Sequence, residues 1–249
     1  MFSLRGLGTV GASIPAVLFA FVIYEYLALP DVRDLRMQNP AVTAFMRLRA
    51  QEAREQGHAA RRVQRWVSYS HISPDLRRAV LLAEDSAFWQ HEGVDMQQVR
   101  ESVEIDLERF SFARGASTIT QQLAKNLYLS PSKNPLRKVM ELVITRRLEA
   151  ELGKRRILEI YLNVIEWGDG IYGAEAAART YFHKPAAALT ADEAAMLAAC
   201  IINPRAMNPS RPSTRLVRRQ RLILERMNRS STSAARFEAR GERRPFPYG

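Results

Sequence analysis

The stretch "SPDLRRAVLLAEDSAFWQHEG", residues 73–93, indicates the fold class of this 249-residue chain. Ser73 is a residue type that caps helix N-termini, and Pro74 suits the first helical position. Apolar residues then recur at helical spacing, so the pattern predicts a buried helix that ends at two adjacent acids, Glu84 and Asp85. The helix dipole opposes an acid at a helix C-terminus, where lysine or arginine would be expected. Two acids at this end therefore point to a functional requirement.

Helical patterns fill most of the remaining chain. A polar helix is predicted to stop around Gly57, an amphipathic helix follows Gly115, and two further helices meet at Gly153. The last core helix begins where Thr190 and Glu193 have the spacing of a capping box. Because no run alternates convincingly with a period of two residues, we expect an all-α fold and no parallel sheet.

Two short motifs match known patterns without the context that those patterns need. Residues 168–173, "GDGIYG", fit the dinucleotide-binding G-x-G-x-x-G, but a helical pattern precedes them where that fold requires a strand. We therefore interpret them as a turn between two helices. Ser130 and Lys133 have the spacing of penicillin-binding acyl-enzymes, but the SDN and KTG partners of those enzymes are missing from the sequence.

The N-terminal segment predicts a membrane anchor. Residues 7–24 carry no charge, and extending the run to residue 29 adds only Glu25. At about 1.5 Å per residue, this run is long enough to cross a hydrocarbon core of about 30 Å. A cleaved signal peptide is the alternative, but the apolar run is longer than a usual signal core and no A-x-A site follows it. We expect a short tail at 1–6, a transmembrane anchor at 7–29, and a topology that charge alone leaves open.

The rest of the chain is predicted to form one globular unit between two basic segments. We expect a juxtamembrane helical linker at 30–66, a catalytic domain at 67–210, and an Arg-rich C-terminal helix and tail at 211–249. That last segment holds eleven arginines, no lysine and three glutamates, and so carries +8 of the formal charge of +11. Helical spacing in it ends near Met227, and the residues from Arg229 onward are expected to be disordered.

The cysteine content limits the chemistry. Cys200 is the only cysteine, so the chain can form no internal disulfide and no zinc site built on several thiolates. It lies in the apolar run "AAMLAACII", which favours a buried structural cysteine over a nucleophile. Acids and cations are therefore the remaining candidates for chemistry.

Four ordered motifs resemble those of the peptidoglycan glycosyltransferases, and specifically the monofunctional biosynthetic transglycosylases. The resemblance spans about residues 67–209, in order and at family spacing. The first motif consists of Glu84, Asp85, Phe88, His91 and Gly93, and the second is unbroken from residue 115 to 126. The third is Arg137, Lys138 and Glu141, and the fourth begins "RRILEIYLN".

The resemblance implies a lysozyme-like helical fold, with a large lobe and a membrane-proximal jaw around a cleft. The implied substrate is lipid II, a disaccharide-pentapeptide on undecaprenyl diphosphate. It would be polymerised with inversion at the outer, periplasmic face of the bacterial cytoplasmic (inner) membrane. The implied partners are the growing glycan strand, membrane lipids and other cell-wall synthesis or division proteins, and no nucleic acid.

The resemblance also implies roles for the acids. Glu84 would be the general base that deprotonates the acceptor 4-hydroxyl, and apolar neighbours would raise its pKa towards the working pH. Asp85 would orient it or add a second charge. Glu141 would assist near the donor diphosphate, through Mg²⁺ or another divalent cation, with no dedicated metal site and no organic cofactor. From the residues alone, a surface ion pair between Glu141 and Arg137 is the alternative.

The remaining motif residues would bind substrate or support the site. Phe88, His91 and Gly93 would fix the loop of the first motif. Lys125, Lys133, Arg137 and Lys138 would compensate the leaving diphosphate, and Ser117, Thr118, Gln121, Gln122 and Asn126 would hydrogen-bond sugar or phosphate oxygens. For these polar side chains simple solvation is the alternative.

Two other function classes stay open. A lytic transglycosylase or lysozyme relative would cut glycan; a retaining hydrolase needs a second carboxylate at about 5 Å, and an inverting one at about 6.5–9.5 Å. The cluster of cations argues against both, because glycan cleavage releases no diphosphate. A non-enzymatic binder would use the Arg-rich tail on nucleic acid or an anionic surface, and an exported body favours anionic lipid.

Overall fold

The computed structural model describes residues 29–96, 117–129 and 136–239, with side chains up to Arg229. The described residues are mostly helical, as expected, but they also form one small sheet. The predicted anchor at 7–29 lies outside them except for its last residue, Leu29. Among the described residues, no helix has the length and hydropathy of a membrane span.

The described parts of the chain form eight α-helices, three short 3₁₀ helices (Arg33–Arg36, Tyr69–His71 and Ala186–Ala188) and three short strands. The strands are β1 (Val63–Gln64), β2 (Glu166–Gly168) and β3 (Ile171–Tyr172). In chain order the helices are α1 (Ala44–Glu55), α2 (Pro74–Glu84), α3 (Ile119–Tyr128), α4 (Leu136–Glu151), α5 (Lys154–Val164), α6 (Ala174–Phe182), α7 (Ala191–Cys200) and α8 (Thr214–Ala239).

The predicted helix starts are confirmed by their caps. The Ser73 hydroxyl accepts a hydrogen bond from the Asp75 backbone N–H at 3.2 Å, and Pro74 follows as the first residue of α2. Thr190 and Glu193 form the expected capping box at the start of α7. These caps satisfy backbone N–H groups that the first helical turn leaves unpaired.

The interpretation of residues 168–173 as a turn between helices was wrong. They belong to a hairpin in which β2 pairs antiparallel with β3, while β1 pairs parallel with β3. Gly170 has φ +66°, and a Cβ there would lie 2.5 Å from the Arg61 backbone oxygen. The parallel pair was also unexpected, because strands of two or three residues are too short to show an alternating pattern.

Helix packing brings the acid-bearing helix and the helix of the second motif into one body. α7 packs against α2 and α8, and α3 packs against α1, α4 and α5. Arg49 on α1 also pairs with the buried Glu166 of β2 at 3.1 Å. The segment before residue 67 is thus packed into the body along α1 and β1.

The C-terminal helix extends beyond the predicted boundary. α8 continues to Ala239, although the residues from Arg229 onward were expected to be disordered. Leu216, Ile223 and Met227 are buried, whereas Leu222 is half exposed. The apolar pattern ends at Met227 because it records only the face that packs, while the alanine-containing continuation keeps adequate helix propensity.

Truncation tests how far the body depends on α8. Ending the chain after Arg229 should change the melting temperature little, because the three buried side chains Leu216, Ile223 and Met227 are retained. Ending it before Thr214 should abolish cooperative unfolding, since each such buried side chain contributes about 1.5–3 kcal/mol. Thermal unfolding of both chains in detergent measures the difference, and equal melting temperatures would contradict the packing of α8.

Candidate active site

Glu84 is held between two partners that come from distant parts of the chain. It is the last residue of α2, and only 12% of its side chain is exposed. The Gln122 amide Nε2–H donates to Oε2 at 2.9 Å, and the Arg219 Nη2 lies 3.4 Å from Oε1. The carboxylate is therefore positioned on both of its oxygens.

The surroundings of Glu84 favour its protonated form. Burial raises the pKa of the Glu84 carboxyl above its ordinary value, and the Asp85 charge acts in the same direction. Gln122, Arg219 and Lys125 lower this pKa, but they do not cancel the effect of burial. A carboxyl with a raised pKa has the higher proton affinity that a general base at neutral pH needs.

Asp85 points away from Glu84's partners and joins two structural elements. Its Oδ2 accepts the backbone N–H of Ile119, the first residue of α3, at 2.9 Å. Its Oδ1 lies 2.9 Å from His91 Nε2. His91 Nδ1 accepts the Gly93 backbone N–H at 3.1 Å, so Nε2 carries the proton that is donated to Asp85. The buried carboxylate thus links α2, the following loop and α3.

Thr118 and Gln121 form the cap of α3. The Thr118 hydroxyl accepts the Gln121 N–H at 3.2 Å and donates to the Gly93 carbonyl at 2.7 Å, while the Gln121 side chain returns to the Thr118 N–H. Gly93 has φ +85°, and a Cβ there would lie 2.6 Å from the Thr145 methyl. In this structure both side chains are buried, and they connect the loop of the first motif to the first turn of α3.

Phe88 also supports this loop. Its ring is fully buried and meets the rings of Trp89 and His91 edge-on. The Lys154 ammonium lies 4.5 Å from the centre of the Phe88 ring. Phe88, His91 and Gly93 therefore all make contacts that position the loop after the two acids.

Gln122 contacts the acid on one side and a tyrosine on the other. The Tyr161 hydroxyl donates to Gln122 Oε1 at 2.8 Å, and Nε2 faces Glu84. The Ser117 carbonyl lies 3.4 Å from the same Nε2, and the Asn126 amide donates to the Gln122 backbone oxygen at 2.9 Å. Ser117 and Asn126 thus contact Gln122, and Gln122 is the residue of the second motif that contacts Glu84.

Glu141 is the centre of a cationic group on α4. Its side chain is buried, Arg137 Nη1 lies 3.5 Å from Oε2, and Lys138 Nζ contacts Oε1. A solvent-exposed ion pair therefore does not describe it. Burial lowers the pKa of the Lys125 ammonium; Glu141 opposes this effect, whereas the Arg137 and Lys138 charges reinforce it. Lys133 lies outside the described residues.

The described residues contain no group of three histidine, cysteine, aspartate or glutamate side chains placed to hold a metal ion. Both carboxylate oxygens of Glu141 already contact cations. A cavity of about 470 Å³ is lined by residues 29–33 with Arg147 and Glu151, and it contains none of the candidate residues. The described geometry therefore offers a positioned Glu84 carboxylate with Arg219 and Lys125 as nearby charges, and a cationic group around Glu141 on α4.

Arg219 was not identified as a site residue from the sequence. It lies 135 positions after Glu84 and within the segment that was predicted to lie outside the catalytic domain. Its side chain is 30% exposed, and its Nε is a buried atom without a hydrogen-bond partner in the described part of the chain. An arginine among many in a basic helix gives no local signal that one of them faces an acid.

Comparison with known proteins agrees with the motifs. The family described as Transglycosylase matches residues 50–228. A biosynthetic peptidoglycan transglycosylase of Laribacter hongkongensis is 45% identical, over 86% of this chain and 94% of that protein. Proteins with the same description from Nitrosomonas eutropha and Dechloromonas aromatica are 46% and 47% identical, each over 83% of this chain, and over 84% and 90% of their own lengths.

The two adjacent acids should affect stability in opposite directions. Glu84→Gln should raise the melting temperature at pH 8, because a carboxyl with a raised folded pKa destabilises the fold only as it ionises. This gain should vanish below the ordinary pKa of glutamate, about 4.3. Asp85→Asn should cost about 1–3 kcal/mol, because its amide would place a donor against the Ile119 or His91 N–H. Thermal unfolding gives the melting temperatures and denaturant unfolding gives the free energies of unfolding, both between pH 4 and pH 8. If both variants were stabilised, or both destabilised, at pH 8, these roles would be contradicted.

Arg219 should favour the ionised form of Glu84. Arg219→Gln removes a charge that lowers the pKa of Glu84, so this pKa should rise further. Carbon-13 NMR titration of labelled glutamate, assigned with Glu84→Gln, measures the change. Arg218→Gln is the control, since Arg218 is an exposed neighbour on the same helix. An equal pKa of Glu84 in both variants would show that the contact is not formed in solution.

Proposed function

Because the chain belongs to the Transglycosylase family and is a peptidoglycan glycosyltransferase, we propose that it polymerises lipid II with Glu84 as the general base. The observation that supports this role most directly is the half-satisfied Glu84 carboxylate. It receives a firm hydrogen bond from Gln122 on Oε2 and only a long contact from Arg219 on Oε1. An incoming hydroxyl can therefore be met at Oε1.

The reaction needs opposite charges on its two sides. The acceptor 4-hydroxyl loses its proton to Glu84 while its oxygen attacks the anomeric carbon of the donor. The bond to the undecaprenyl diphosphate breaks on the opposite face, which gives inversion. A carboxylate on the first side and cations on the second stabilise the charges that develop.

Lys125, Arg137 and Lys138 are the groups that we assign to the departing diphosphate. Arg137 and Lys138 both contact Glu141, which keeps the two cations on one side of α4. Burial lowers the pKa of Lys125, and repulsion from the Arg137 and Lys138 charges lowers it further. An anion with two charges would relieve that repulsion, since each cation is stabilised by an opposite charge nearby.

Location and partners follow from the same proposal. We place the catalytic body at the periplasmic face of the cytoplasmic membrane, where the N-terminal segment would anchor it beside its lipid-linked substrate. Membrane lipids, the growing strand and other cell-wall synthesis or division proteins are then its neighbours. A divalent cation would join Glu141 at the substrate diphosphate.

Cleavage of glycan is the less favoured reaction. The relatives named above are described as biosynthetic. A hydrolase of this kind would need a second available carboxylate near Glu84. The Asp85 carboxylate is bound by His91 and by the Ile119 N–H, and Glu141 is bound by two cations. The cationic group would stabilise a departing diphosphate, and glycan cleavage releases no diphosphate.

Replacement of the base should separate binding from chemistry. Glu84→Gln should retain lipid II binding but lose polymerisation by about 10²–10⁴-fold, because general base catalysis typically contributes that much. Gel separation of polymer from labelled lipid II measures the rate, and a filter assay measures binding. Glu92→Gln is the matched control, since Glu92 lies within the span of the first motif, between His91 and Gly93, and is 88% exposed. An active Glu84→Gln enzyme would remove Glu84 from the role of base.

A further inference from the structure

Tyr161 is a buried residue of α5 that has no contact with solvent. Its hydroxyl donates to Gln122 Oε1 at 2.8 Å, and the other end of the same amide donates to Glu84 Oε2 at 2.9 Å. Burial raises the pKa of the Tyr161 phenol well above its ordinary value, so the hydroxyl stays a donor throughout the working pH range. Tyr161, Gln122 and Glu84 thus form a chain of hydrogen bonds with one direction.

The direction of this chain matters because an amide has two unlike ends. If the side-chain amide of Gln122 turned by 180°, its oxygen would face Glu84. An amide oxygen repels an ionised carboxylate but accepts a hydrogen bond from a protonated carboxyl. Tyr161 donates to Oε1 in the orientation seen here, whereas with the amide reversed its hydroxyl would accept from Nε2 and its own buried proton would lose this acceptor. Its hydroxyl therefore favours the orientation in which Gln122 supports the ionised form of Glu84.

From this geometry we infer that Tyr161 is a positioning residue of the reaction, which acts through Gln122 to hold Glu84 ionised with Oε1 left to take the proton. The inference rests on the proposed role of Glu84 as the base. Tyr161 itself touches no reacting atom. It restricts the amide to one orientation, and the amide in turn occupies Oε2, so that Oε1 keeps only the long contact with Arg219.

Other charged and titratable groups also face Glu84. Arg219 on α8 and Lys125 on α3 favour its ionised form, while the adjacent Asp85 opposes it. On α7, Cys200 is buried, and burial raises the pKa of its thiol to about 12, so it stays neutral near pH 7. All of these groups remain unchanged in a variant that lacks only the Tyr161 hydroxyl, so such a variant isolates the effect of the amide.

Tyr161→Phe tests the inference with little change of shape. Without the hydroxyl, Gln122 can turn its oxygen to Glu84, which favours the protonated carboxyl. The acidic limb of the pH profile of kcat/KM should move upward by about one pH unit, since one pKa unit is a tenfold change in proton affinity. At high pH the rate should recover to within about twofold of the parent, because the base is then ionised in both proteins.

Tyr181→Phe is the matched control. The Tyr181 hydroxyl is also partly buried and donates to the Trp167 carbonyl at 3.2 Å, but it is not linked to Gln122. This variant should keep the parent's acidic limb. In a Gln122→Met background, which has no amide to turn, adding Tyr161→Phe should shift the limb no further.

Carbon-13 titration of Glu84 separates this inference from the proposed function. A higher pKa of Glu84 in Tyr161→Phe, without polymerisation of lipid II by the parent, would support the positioning network and refute the proposed reaction. An active parent whose acidic limb and Glu84 pKa are both unchanged by Tyr161→Phe would overturn the inference. A shift of equal size in Tyr181→Phe, or a further shift in the Gln122→Met background, would overturn it as well.

Discussion

The site depends on the bond between the Asp85 carboxylate and the backbone N–H of Ile119. This bond ties the C-terminus of α2 to the N-terminus of α3, which carry Glu84 and Gln122 respectively. It also resolves the unfavourable placement of two acids at the end of α2. Asp85 lies at the start of α3, where the helix dipole stabilises a negative charge. Its charge is thus accommodated by a second helix and by His91.

Glu84 is buried at some cost to the fold, and the surrounding residues determine how large that cost is. Burial favours the protonated carboxyl, whereas Gln122, Arg219 and Lys125 favour the ionised one. The balance leaves a carboxyl that holds its proton more tightly than an exposed glutamate. That is the property a base needs near neutral pH, and sites of this kind commonly sacrifice stability for it.

Local signals in the sequence predicted the local structure well. Ser73 and Thr190 marked helix starts because a cap is a contact between residues only two or three apart. The hairpin at Gly170 was missed, since strands of two or three residues carry no periodic pattern. The pairing of Arg219 with Glu84 was also beyond reach, because nothing in a basic helix distinguishes the arginine that faces an acid 135 residues away.

The antiparallel course of α8 along α2 has a consequence for biogenesis. Arg219 meets Glu84, Arg226 donates to the Leu82 carbonyl, and Arg78 reaches the Met227 carbonyl. The surroundings of the acid are therefore incomplete until residues 219–227 have been synthesised and have packed against α2. A nascent chain arrested before Arg219 would carry every ordered motif and still lack this partner of Glu84.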